Sequence, residues 1–139
     1  MWFEENFAEL ANKLIEANLA NKIYLIASQK NQDIVKKIMN LSNKNHFSDC
    51  SSLNLLQVIK VIKYSNYFVG NNSGPLNLAS ALGVKAFGLI ANDRVSELKN
   101  SNIIPILPKN YKNEINRDRD GMKELDVELV FNQIKDNIN

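Results

Sequence analysis

The chain has 139 residues, 45% of them hydrophobic, and carries a net charge of +2 from 17 basic and 15 acidic side chains. That length suits one domain with a real core, and the scattered lysines make no basic stripe, which argues against a nucleic-acid binder. The single cysteine, Cys50, and single histidine, His46, exclude an internal disulfide, a zinc-type cysteine cluster and a multi-histidine metal site.

The opening residues, MWFEE, are acidic where a targeting segment would be basic, and no apolar run nears the ~20 residues of a membrane span. The expectation is a cytoplasmic chain without direct membrane insertion. Residues 3–19 read as an amphipathic helix, with Phe3, Phe7, Leu10, Ala11, Leu14 and Ile15 on one face. Residues 22–27, KIYLIA, form a short apolar run that predicts a strand buried on both faces. A polar turn at 28–31 leads into a helix over 32–41, with Ile34, Ile38 and Leu41 inward. A short strand is expected at 45–48. Residues 49–52, DCSS, then make a loop with two candidate N-cap serines.

A helix over 53–64 follows, with Leu55, Leu56, Ile59 and Ile62 apolar. Residues 66–70 are a strand, 75–82 a helix with Gly83 as its left-handed terminator, and 84–90 a strand. Residues 103–107, IIPIL, read as a strand near a sheet edge, because Pro105 cannot donate to a ladder. Residues 108–124 lack apolar periodicity and read as an exposed loop. Asp126 can cap a last helix whose inward positions are Val127, Val130, Phe131 and Ile134. This alternation predicts an α/β fold, a Rossmann-like doubly wound parallel sheet with helical crossovers. Such sheets take ligands at the carboxyl ends of their strands.

One such end stands out: FVGNNSGPLNLASALG, residues 68–83. The turn lies at a strand carboxyl end and a helix amino end at once, where unpaired N–H groups and the helix dipole attract phosphate. Gly74 leaves the backbone approachable, Ser73 offers an N–H and a hydroxyl, and Pro75 suits the start of a helix. Asn, Ser, Gly and Pro are also the ordinary residues of any tight turn, so an ordinary strand–helix joint stays open. The stretch is neither a Walker loop nor a GxGxxG turn.

The stretch resembles the signature Phe-Val-Gly-Asn-Asp-Ser/Thr-Gly-Pro-x-His-x-Ala-x-Ala-x-Gly of glycosyltransferase family 9, the ADP-heptose:lipopolysaccharide heptosyltransferases and their relatives. MWFEENFAELANKLIEANL and SSLNLLQVIKVIKYSNYFVGN resemble further stretches of that family, so the likeness runs over roughly residues 2–90. It implies a GT-B architecture, two Rossmann-like domains facing across a cleft, of which this chain corresponds to the carboxyl-terminal, donor-binding one. In the family the catalytic base and a lysine loop on the diphosphate lie ahead of the matched region, so the resemblance implies no catalytic residue in this chain. It implies an ADP-sugar or other nucleoside-diphosphate sugar as ligand, with no tightly bound cofactor and no metal. It also implies an amino-terminal acceptor-binding domain as partner and a location at the inner face of the inner membrane.

Carried over by position, the resemblance puts Ser73 and Gly74 on the diphosphate and Ser51 and Ser52 beside the nucleobase. Gln29 falls near an acidic ribose contact, and Pro75 completes the phosphate turn. Asn72 stands where the family has Asp, and Asn77 where it has His. A neutral amide gives weaker hydrogen bonds than a charged group, by about twofold. The resemblance therefore implies a weakened donor site, and leaves open a non-catalytic binding or scaffold module that keeps the fold. An unrelated Rossmann-like receiver or dinucleotide binder lacks its acidic cluster or glycine spacing here.

Overall fold

The computed structural model describes residues 1–91, 93–98, 101–113 and 119–138. The chain forms two compact units, one of Phe3–Val61 and one of Ile62–Asn139 together with Met1–Trp2.

In the first unit, helix α1 (Glu4–Glu16) buries Ala8, Leu10, Ala11 and Leu14. Phe3, expected inward, is exposed, and Ala8 takes its place on the buried face. The helix ends three residues before the expected Leu19 because Asn18 adopts the left-handed conformation, φ 58°. The Asn18 N–H then bonds to Ile15 O and the Leu19 N–H to Leu14 O, a Schellman closure. Helix α2 (Gln32–Asn40) buries Val35 and Ile38, while Leu41, expected inward, is exposed. Ala8, Ala11, Ile38 and Phe47 form this unit's core, ringed by Phe7, Ile15, Ile23, Leu25, Ile34 and Met39. Lys37 Nζ lies 2.8 Å from Glu5 Oε1, joining α2 to α1.

Strand β1 (Ile23–Leu25) pairs in parallel with β2 (Phe47–Asp49), Ile23 opposite Phe47 and Leu25 opposite Asp49. β1 is shorter than the apolar run 22–27, and Tyr24 is 45% exposed. The expected burial on both faces is thus corrected: the residues flanking Tyr24, Ile23 and Leu25, face the core and Tyr24 faces away. Helix α3 (Leu55–Lys63) is capped by Asn54 rather than by Ser51 or Ser52. The Asn54 N–H donates to Gln57 Oε1 and the Gln57 N–H to Asn54 Oδ1, both at 2.9 Å, a reciprocal capping box. That start puts Leu55 and Leu56 in a first turn beyond the packed face, and both are 70% exposed. The buried position of α3 is Ile62, near its carboxyl end, and the chain passes from one unit to the other within this helix.

The second unit holds three parallel strands, β3 (Tyr67–Asn71), β4 (Lys85–Leu89) and β5 (Ile103–Ile106), in the order β3-β4-β5. β4 is central and buried from Ala86 to Leu89. β5 is an outer strand of this sheet, as Pro105 requires. Helix α4 (Gly74–Ala81) packs closely on β4: a Cβ at Gly88 would stand 2.9 Å from Ile103 Cγ2 and 3.0 Å from Leu76 Cδ2. Gly83, at φ 76°, ends α4 in the left-handed conformation. Asp126 caps α5 (Val127–Asn137) by accepting from the Leu129 N–H at 2.7 Å. Val127, Val130 and Ile134 of α5 are buried, and Phe131 only half so. Lys85 Nζ donates to Asn137 O at 2.6 Å, placing a cation on the carbonyl end of α5.

The stretch 108–124 departs from the expected exposed loop. Pro108 and Met122 are buried, and Arg119–Glu124 form a 3-10 turn. Two isolated apolar residues leave no periodic signal, yet each fills a place in the core. Residues 114–118 of that stretch lie outside the described residues.

Candidate functional site

β3 runs out at Asn71, Asn72 and Ser73 turn the chain, and α4 begins at Gly74. Ser73, the N-cap residue, is extended at φ −157° and ψ 174°. Its side chain makes no bond to the first turn of α4; the hydroxyl donates back to Asn71 O at 3.1 Å. The N–H groups of that first turn are therefore left without the usual serine cap. Pro75, in the first turn, has no N–H to leave unpaired. A Cβ built on Gly74 would meet no atom within 4 Å, so open space lies directly over the amino end of α4. Asn72, Ser73, Gly74 and Asn77 are exposed and Pro75 half-buried. Chemically this is an accessible array of N–H donors with partial positive charge, suited to an anion.

The two asparagines of the turn have protein partners. Asn77 Nδ2 donates to Ser73 O at 2.9 Å, within its own helix. Asn72 Nδ2 donates to Asp93 Oδ2 at 3.0 Å. Asn71 Oδ1 accepts from the Trp2 N–H at 3.1 Å, which fixes the end of β3. Asp93 is held in turn: its main-chain carbonyl accepts from the Tyr111 hydroxyl at 2.5 Å, and that hydroxyl accepts from the Val95 N–H at 2.9 Å. Asn71, Asn72, Leu89, Ala91, Asp93 and Met122 line a cleft of about 90 Å³ at the carboxyl ends of β3 and β4. The cleft lies well below the ~300–1,000 Å³ of a complete ligand pocket, so it accommodates a fragment of a ligand.

The other three expected site residues belong to the Phe3–Val61 unit. Gln29 opens the 3-10 turn Gln29–Asn31 after β1 and is exposed. Ser51 and Ser52 follow β2, at the same end of that parallel pair. Ser51 is buried, and both its N–H and its hydroxyl donate to Asp49 Oδ1, at 2.8 and 2.6 Å. Its polar atoms build the turn, while Ser52 is exposed. Cys50, between them and Asp49, is buried; burial and the Asp49 charge push its thiol above the usual range, away from nucleophilic use. Among the described residues no group of three or more His, Cys, Asp or Glu could hold a metal ion.

The structure thus gathers Asn72, Ser73, Gly74, Pro75 and Asn77 on one turn, and Ser51 and Ser52 on another within the other unit. Sequence reasoning missed Asp93 and Asp49. Asp49 closes β2 and Asp93 follows the end of β4 by four residues, and a carboxylate near the carboxyl end of a strand was the signal available.

The profile of Glycosyltransferase family 9 (heptosyltransferase) matches residues 1–128. The chain is 26% identical, over 151 aligned positions, to the lipopolysaccharide core heptosyltransferase OpsX of Haemophilus influenzae, covering 96% of this chain and 43% of that protein. Its fold superimposes on the structure of the E. coli ADP-heptose LPS heptosyltransferase II with a TM-score of 0.81 at 17% identity, covering 99% of this chain and 42% of that one. The chain spans less than half the length of each of these relatives.

Proposed function

Because this chain belongs to glycosyltransferase family 9, we propose that it is the nucleotide-sugar-binding half of a heptosyltransferase-like enzyme of lipopolysaccharide or cell-surface glycan synthesis. The ligand is an ADP-sugar or another nucleoside-diphosphate sugar. The observation that carries this reading is the uncapped amino end of α4, with Ser73 turned away from it and open space over Gly74. There the N–H groups of Ser73, Gly74 and the first turn would hold the diphosphate and stabilise its charge as the sugar departs. Ser52 and Gln29 would serve the nucleoside, with Ser51 shaping the turn that carries Ser52.

Sugar transfer also needs a base to deprotonate the acceptor hydroxyl. No residue of this chain is assigned that role; it falls to an acceptor-binding domain, which would also bring the enzyme to the inner face of the inner membrane. Among the described residues no helix is long and apolar enough to cross a membrane. One observation favours a second reading, a binding module without transfer activity: the Asn72 and Asn77 amides are both engaged by protein acceptors. Thermal shift with ADP, UDP and GDP at millimolar concentration tests the nucleotide reading. A rise in melting temperature with at least one is expected, and no rise with any of them overturns it.

A further inference from the structure

The turn has lost the carboxylate that the family signature puts at position 72, yet a carboxylate stands 3.0 Å from the Asn72 amide nitrogen, on Asp93. The two side chains line one cleft at the carboxyl ends of β3 and β4. Asp93 is placed there by its neighbours, because its main-chain carbonyl is tied by the Tyr111 hydroxyl. A carboxylate has about four acceptor positions, and the bond from Asn72 uses one of them. With its nitrogen directed at Asp93, the Asn72 amide keeps its carbonyl oxygen as a further acceptor.

Resting on the nucleotide-sugar reading above, we propose that Asp93 is the sugar-contacting carboxylate of this chain and sets which end of the ligand enters the cleft. The chemistry is directional. A fixed negative charge repels a diphosphate, so the phosphates stay on the donor array at Ser73 and Gly74. The part of the ligand lying over Asp93 and Asn72 must be neutral and rich in hydrogen-bond donors. The hydroxyl-bearing edge of a sugar ring meets both conditions. A cleft of about 90 Å³ takes such an edge and has no room for a nucleoside.

The test compares matched ligands on the intact chain by titration calorimetry: ADP with ADP-glucose, UDP with UDP-glucose, and GDP with GDP-mannose. For the pair that binds best, Asp93→Asn should weaken the sugar nucleotide about tenfold and change the free diphosphate less than twofold. Moving the charge back, in the double variant Asn72→Asp with Asp93→Asn, should restore most of the loss. Asp93→Ser, which removes the carboxylate without an isosteric amide, should show the same selectivity between ligands. Equal weakening of both ligands, or no weakening, overturns the proposal and leaves the nucleotide reading standing. Binding of a nucleoside diphosphate but of no sugar nucleotide overturns the proposal and cuts the reading above back to nucleotide binding. Binding of none of the six overturns both.

Discussion

The Trp2 indole donates a 2.7 Å hydrogen bond to the main-chain carbonyl of Leu125, across 123 positions of sequence, and both residues are fully buried. This bond pins the start of the chain beneath the segment that leads into α5. Trp2→Phe keeps much of the ring and removes the donor, leaving a buried carbonyl unpaired. The expected cost is about 1–3 kcal/mol, rising to about 3–5 kcal/mol for Trp2→Ala. Urea unfolding followed by circular dichroism measures it, since Trp2 is the only tryptophan.

Gly74 allows the binding surface to be blocked without disturbing the fold. A side chain there meets no protein atom within 4 Å, and the residue does not need a positive φ. Gly74→Val should leave the melting temperature within about 2 °C while abolishing stabilisation by any nucleotide that stabilises the parent chain. A nucleotide shift that survives the substitution places the binding site elsewhere. Ser73 is a poorer position for the same test, because its φ of −157° lies far from the −65° that proline demands.

Gly83 is a backbone position. At φ 76° a β-carbon is strained, although space around it is open. Gly83→Ala should therefore cost about 1–2 kcal/mol, from conformation alone. Gly83→Asn should cost less, since asparagine tolerates the left-handed region, and paired denaturation curves compare the two.

The start of α3 gives a contrast between a polar and an apolar residue. Asn54→Ala opens the capping box and should destabilise the chain by about 1 kcal/mol. Leu56→Gln, on a residue 70% exposed, should change stability by less than about 0.5 kcal/mol. A large loss from Leu56→Gln would show that this residue packs in the core.

Tyr67 sits edge-on to Phe87, ring centroids 6.0 Å apart, and burial pushes its phenol up to about 12. The unfolded chain releases this proton near pH 10, the folded chain near pH 12. Between these values the folded state holds more protons, so stability present below pH 10 falls as pH rises. The ring is only partly buried, which reduces the loss to on the order of 1 kcal/mol. Urea midpoints at pH 9 and pH 11.5 should fall more steeply for the parent chain than for Tyr67→Phe.

Much of this protein was legible in the sequence because local rules act on neighbouring residues. The alternation of helices and strands, the Gly83 terminator, the Asp126 cap and the outer placement of Pro105 each follow from backbone sterics or a nearby hydrogen bond. The strand–turn–helix at residues 68–83 belongs to the same class. Helical periodicity already marked Leu10, Leu14, Ile38, Ile62, Val130 and Ile134 as buried; tertiary structure alone decided the exceptions. Leu55 and Leu56 fit a helical pattern and face solvent, whereas Met122 and Pro108 fit no pattern and are buried, because burial depends on what packs opposite. It also decided how the polar groups pair. Ser51 is engaged by Asp49, Asn77 by Ser73, and Asn72 by Asp93, 21 positions away. Sequence could list these donors and acceptors; only the fold brings a particular pair within hydrogen-bonding distance.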